Sequence, residues 1–349
     1  MEARRSTVDA LLERETRQTS TAWGDVMVSN SSPSCLNAVW RQKVIHWYFT
    51  LISALRRQHS AAAESSSEDI RNPFNRASVH VTASLLDSYL MSLPTERALR
   101  YKHDRPAYQL LATTCLLLGM RLSQHDLIKE ARQQQREAAA DRRQGDDKHQ
   151  GCGLKRAKTH RTNMNQVSVP TTVAGVAIPN AATILRISAA PKSISERHVL
   201  SMVREVTDSR SFPRSKMVTS LDFIQAFGAA STQVSEDGSS ISLGPADLEE
   251  ASRLADVSVR NASFSGCRPS IVASAVITLV LARSNSVNMD MASTRQTVQH
   301  SIFGTDDAVL QASIRRAESN LLTSVQVRMP PSRNRHVVPT THLIPLEDE

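Results

Sequence analysis

Two stretches of this chain have no polar face. AYQLLATTCLLLGMRL starts at Ala107 and SIVASAVITLVLAR at Ser270, and in both the apolar residues run round the whole helical circumference. A helix of this kind has to be enclosed by others. Each follows an Arg-Pro pair, Arg105-Pro106 and Arg268-Pro269, 163 residues apart. Proline costs nothing in a first helical turn, where its missing N–H would have had no partner. Two enclosed helices so far apart predict two helical bundles, each built round its own hub, and 349 residues are enough for both. The recurrence reads as a duplicated all-helical domain.

Amphipathic helices stand ready to do the enclosing. Leu36, Trp40, Val44, Trp47, Leu51 and Leu55 recur at three or four residues, the repeat of one helix face. Val79, Ala83, Leu86 and Leu90 mark a second helix, which Pro94 ends. In the other half Leu248, Ala251, Leu254 and Ala255 line one side of LGPADLEEASRLADVSV. Ser193 and Glu196 have the spacing of a capping box before ERHVLSMVREV. Leu221–Phe227 and Asp306–Val325 are expected to add two more helices.

Between the halves the composition changes. Lys129 to Arg161 holds ten Lys or Arg against five acids, in a chain whose net charge is +8. LIKEARQQQREAAADRRQ is expected to extend the hub helix as a solvated arm, and the rest to be disordered. Lys155, Arg156, Lys158 and Arg161 resemble a nuclear-import cluster. The prolines of the tail point to an extended end.

Several function classes are disfavoured. The 11 glycines form neither GxGxxG nor GxxxxGK, so no phosphate-cradling loop is indicated. Cys35, Cys115, Cys152 and Cys267 contain no C-x-x-C, which argues against a disulfide framework or a zinc ribbon. His46 is expected inside the first helix, and His59, His80, His103 and His125 near helix ends or in loops, as packed or solvated groups. No enzyme, metal or cofactor is indicated. The charged start lacks an apolar signal core, and no run is long enough to span a bilayer. An intracellular protein without a membrane partner is the expectation.

The motifs in order resemble the cyclin family. WRQKVIHW (Trp40–Trp47) is similar to that family's opening MRAILVDW, SLLDSYL (Ser84–Leu90) to its LLDRFL, and AYQLLATTCLLLGMRL to its KLQLLGVTCLLIASKY. SERHVLSMVREV resembles the helix closing the linker, and ADVSVRNASFSGCRPSIVASAVITLVLAR the start of the second fold. The matches cover most of residues 36–126 and 192–285. The resemblance implies an all-α protein of two five-helix bundles, tandem cyclin folds joined by a long, partly disordered linker. The segments are then 1–35 with a short helix packed across the first fold, 36–126 as the N-terminal cyclin box, 127–191 as the basic insertion, 192–327 with the second fold, and 328–349 as a flexible tail.

The resemblance also implies roles. Arg41 and Asp87 fall on the family's buried ion pair. Arg121 falls on the lysine that grips the kinase, with Leu122 beside it and Glu205 as the nearest acid. The family's partner glutamate falls near Val203, and acids common after the lysine are Ser123 and Gln124 here. Trp40, Val44, Trp47 and Gln109 fall on the substrate-docking groove. The implied function is a cyclin-type regulatory subunit that activates a cyclin-dependent Ser/Thr protein kinase by holding its C-helix in the active position, in cell-cycle control. Such a subunit contributes no catalytic residue; its partners are the kinase and the kinase's substrates, and its location is the nucleus, with the cytoplasm second. The alternatives are a transcription-associated or kinase-free cyclin-fold scaffold and a nucleic-acid-associated factor.

Overall fold

The computed structural model describes residues 2–22, 37–63, 75–123, 172–173, 176–177, 180–187, 194–209, 211–213, 217–231, 243–284 and 291–327. Among them the chain is all-α, apart from a two-residue antiparallel ladder of Thr172–Val173 with Val176–Ala177. The helices are α1 (Glu2–Ala22), α2 (Ala38–Ala63), α3 (Arg76–Ser92), α4 (Thr95–His103), α5 (Arg105–Ser123), α6 (Ala181–Ile187), α7 (Glu196–Thr207), α8 (Ser220–Ser231), α9 (Pro245–Arg260), α10 (Pro269–Ser284), α11 (Met291–Phe303) and α12 (Ala308–Val327).

There are two cores. The first surrounds α5, whose residues 111–120 are all buried, and is closed by α2, α3, α4, α6 and α7. The second surrounds α10 and is closed by α8, α9, α11 and α12. Both hubs bury hydroxyls without needing a partner helix. Thr113 and Thr114 donate to the carbonyls of Gln109 and Leu110, both at 2.9 Å. Ser274 and Thr278 donate in the same way to Ser270 and Ser274, both at 2.8 Å. A hydroxyl satisfied by its own helix can sit in an apolar core at little cost. This is why the Ser/Thr content of the hubs does not create a polar face.

Several expectations need correction. Ala181 and Ile184 of α6 are buried in the first core, so the segment expected to be a disordered insertion contributes a packed helix. The first bundle thus gathers six described helices rather than five. The cores divide between Met217 and Val218, because α7 seals α5 through Val199 and Val206. Helix α7 starts at Glu196, as expected, but with a different cap. Ser195, not Ser193, is its N-cap, accepting from the His198 N–H at 3.4 Å while His198 Nδ1 accepts from the Ser195 N–H at 3.3 Å. Pro94 ends α3 but also opens α4. Helix α11, weakly patterned, had no counterpart in the periodicity. Helix α1 is long rather than short, and it packs chiefly on α8 of the second bundle, with smaller contacts to α3 and α10.

The first core carries an alkaline liability. Burial pushes the Cys115 thiol and the phenols of Tyr48 and Tyr108 well above their ordinary ranges. The folded state keeps these protons, while an unfolded chain releases them above about pH 8.5 for cysteine and about pH 10 for tyrosine. Stability from these groups is complete below that window and falls as pH rises through it, by about 1.4 kcal/mol per pH unit for each fully linked group. The urea midpoint is expected to hold from pH 7 to 8 and to drop steeply by pH 10.5. An unchanged midpoint at pH 10.5 would contradict the burial of these groups.

Candidate functional site

The densest cluster of buried charge lies where the two bundles meet. Arg41 on α2 donates from Nε to Asp87 Oδ1 at 2.8 Å and from Nη2 to Oδ2 at 2.7 Å, with both residues at most 3% exposed. Desolvation pulls the guanidinium down, and the charge and hydrogen bonds of Asp87 more than offset it, so Arg41 sits above its usual value. Its remaining nitrogen, Nη1, donates to the carbonyl of Val259 on α9 at 2.8 Å. The pair is therefore also a tie between bundles.

A second tie runs along the same face of α3. His80 Nε2 lies 3.0 Å from Asp256 Oδ1, and Arg76 Nε 3.0 Å from Oδ2 of the same carboxylate. Arg76 Nη2 also meets Glu249 Oε1 at 2.9 Å, which holds the exposed Glu249 carboxyl below its usual range. The Arg260 guanidinium of α9 lies 4.4 Å from the centroid of Phe49 on α2. Phe49 in turn meets the His80 ring edge-on, at 6.5 Å. Residues 76, 80 and 87 share one helical stripe, which runs beside that of Val79, Leu86 and Leu90. His80 is 2% exposed in mid-helix, so the reading of it as a helix-end or loop histidine is corrected.

Between these ties lies a cavity of about 50 Å³, lined by Arg41, His80, Ser84, Asp87, Thr219 and Cys267 among others. It has room for one or two waters. Its chemistry is that of a seam: the carboxylates are engaged by Arg41, Arg76 and His80, and burial raises the Cys267 thiol, which favours the unreactive protonated form. No group of His, Cys, Asp and Glu able to hold a metal occurs among the described residues. No described helix is long and apolar enough to cross a membrane.

The remaining predicted residues fall in three places. Arg121 is exposed in the last turn of α5, where a cation is favoured by the helix dipole. No acid pairs with it among the described residues; partial burial alone acts on it and lowers its pKa. Leu122 is half-buried against the first core. Glu205 is exposed on α7 and accepts from the Tyr89 hydroxyl at 3.0 Å, so it ties α7 to α3. Val203 packs on the first core, and Ser123 shares a 2.8 Å hydrogen bond with Ser78.

The four groove residues do not form an open surface. Val44 is fully buried and Trp47 is 8% exposed, with its ring tilted on Tyr48 at 5.3 Å. Gln109 is buried too, at 6%. Trp40 is half-buried, edge-on to Tyr108 at 5.7 Å. The face that the periodicity assigned to the core is the face these residues occupy, and it leaves Trp40 alone near the surface. The import cluster, Lys155, Arg156, Lys158 and Arg161, lies outside the described residues, as does Gln124.

Sequence reasoning missed Arg76, His80, Glu249 and Asp256 as a unit, because their partnership joins positions more than 160 residues apart. Compared with known proteins, the chain matches no family model, no curated protein and no solved structure.

Proposed function

We propose that this chain is a cyclin-type regulatory subunit that binds a cyclin-dependent Ser/Thr protein kinase and activates it. The observation that carries the reading is Arg121: an exposed cation at the end of the first hub helix, without an acidic partner among the described residues, beside half-buried Leu122. Two successive bundles around hub helices, and motifs in cyclin order, support it further.

The mechanism is activation by binding. A kinase orients ATP only when its β3 lysine pairs with the glutamate of its C-helix. A subunit that prefers the kinase in that arrangement shifts the population toward it. The chain then supplies a rigid surface and no reacting group. Cell-cycle control, kinase substrates as further partners and a nuclear location reached through residues 155–161 belong to the same proposal.

The test is affinity purification of the whole chain from growing cells, with bound kinases identified and assayed. A stoichiometric cyclin-dependent kinase, lost by at least about tenfold on Arg121→Glu, is the expected result; reversing a charge at a contact costs on the order of 1.4 kcal/mol or more. A preparation without kinase would reject the reading. The engagement of Glu205 by Tyr89 and the core packing of Val203 favour a second one, a kinase-free scaffold of the same architecture. A nucleic-acid factor, suggested by the net charge of +8, would instead show duplex binding that weakens steeply with salt.

A further inference from the structure

The N-terminal helix sits on the second bundle by an unusual means. Of its side chains, Val8 and Glu15 are buried, at 4% and 0% exposure. Leu11 and Leu12 are half-buried against the second core. Glu15 is the more surprising. Its carboxylate accepts from Ser270 N–H at 2.7 Å, Ser270 Oγ at 2.6 Å, Arg268 Nη2 at 2.9 Å and Arg268 Nε at 3.2 Å. All four donors lie at the start of the second hub helix, α10. One turn further on, Gln18 Oε1 accepts from Val218 N–H at 3.1 Å.

These residues form a recognition pattern. Val8, Leu11, Leu12 and Glu15 stand at i, i+3, i+4 and i+7, the register of a helix laid in a groove. The groove contributes an apolar floor from α8, α3 and α10 and, at one end, a carboxylate receptor. That receptor joins a guanidinium to the free N–H of a helix N-terminus, both of which favour an anion.

Two facts make the contact exchangeable. Among the described side chains of α1 only Val8 is a buried apolar residue, with Leu11 and Leu12 half-buried, so burial of these contributes modestly, and burying a carboxylate costs much of what its hydrogen bonds return. A free helix of this length is itself marginal in water. Tethering compensates, since a linked segment faces its site at an effective concentration in the millimolar range.

We propose that this groove is a helix-docking site for which α1 is the resident intramolecular ligand. Its external partner is an amphipathic helix of another protein, with apolar residues at i, i+3 and i+4 and a carboxylate at i+7. Such a helix displaces α1 by placing its carboxylate on Arg268 and Ser270. The proposal is independent of kinase binding, because it concerns the second bundle and uses neither Arg121 nor Leu122.

The test uses the full chain and a labelled synthetic peptide of residues 2–22. Leu12→Ala/Glu15→Ala loosens the resident helix and leaves the groove unaltered. This variant is expected to bind the peptide at least about tenfold more tightly than the wild-type chain, whose groove is filled. A peptide carrying Glu15→Gln should lose about tenfold, as should the variant chain with Arg268→Ala added. A folded variant that binds no better than wild type would overturn the proposal. So would a wild-type dimer that the peptide dissolves, since the occupant would then be a second copy. Should the variant not fold, hydrogen exchange on the wild-type chain decides. The amides of α1 should exchange at least about tenfold faster than those of α10, and faster still with excess peptide. Equal protection of α1 and α10 would overturn it.

Discussion

Asp87→Ala is expected to destabilise the protein by about 3–5 kcal/mol, because it strands the guanidinium of Arg41 in the interior. Only the Val259 carbonyl would remain to Arg41, and a single neutral acceptor cannot replace two charge-assisted bonds. A loss of that size is a large share of the roughly 5–15 kcal/mol available to a domain. The comparison that isolates the cause is a double substitution. Arg41→Met with Asp87→Leu removes both charges, so it should recover most of the loss, because an apolar pair of similar volume in a buried site is often neutral or stabilising. Urea unfolding of the two variants decides the matter. An Asp87→Ala midpoint equal to wild type would mean that the pair is solvated. A double variant as weak as the single one would place the cost in packing rather than in charge.

Gly119→Ala is expected to cost about 3 kcal/mol, at the upper end for an overpacked core. Helices α3 and α5 make the most extensive contact among the described helices. A Cβ on Gly119 would lie 2.1 Å from Thr82 Oγ1 and 2.8 Å from Thr82 Cα. The second distance decides the sign, because a backbone atom cannot rotate away. Thr82→Ala in the same chain removes the hydroxyl but leaves the Cα conflict, so the rescue should be partial. Gly228→Ala is the internal control. Its Cβ would meet only the tip of Leu248, 2.4 Å away, and that side chain can turn aside. Thermal unfolding should therefore rank Gly119→Ala well below Gly228→Ala. Equal melting of the two would mean that α3 and α5 sit further apart.

What the chain announces by itself follows from these two sites and from the hubs. Helices apolar on every side can only be enclosed, so α5 and α10 and the pairing of a bundle with each were legible at once. Arg41 and Asp87 were paired through resemblance rather than spacing, since nothing in one helix face names the partner of a buried charge. The groove residues show the reverse difficulty. Trp40, Val44, Trp47 and Gln109 matched a surface motif, yet three of them are interior, because the apolar stripe of α2 has to face the hub and Gln109 lies on the enclosed hub itself.

Local signals were weakest where elements are held by distant partners. Helix α6 is only seven residues long; propensity does not predict it, and burial of Ala181 and Ile184 supplies what propensity lacks. Helix α1 could be read as a helix, but its seat could not. A single glutamate among charged neighbours gives no sign that it will cap a helix more than 250 positions away. The same holds for Arg76, His80 and Asp256, which span the seam between bundles. Sequence determined the fold class, the hubs and most of the helices, because these depend on periodicity and on where proline and cap residues stand. Tertiary structure alone decided where each core ends, which charges meet and which face α1 covers, because these depend on long-range desolvation and pairing, for which one helix carries only half of the information.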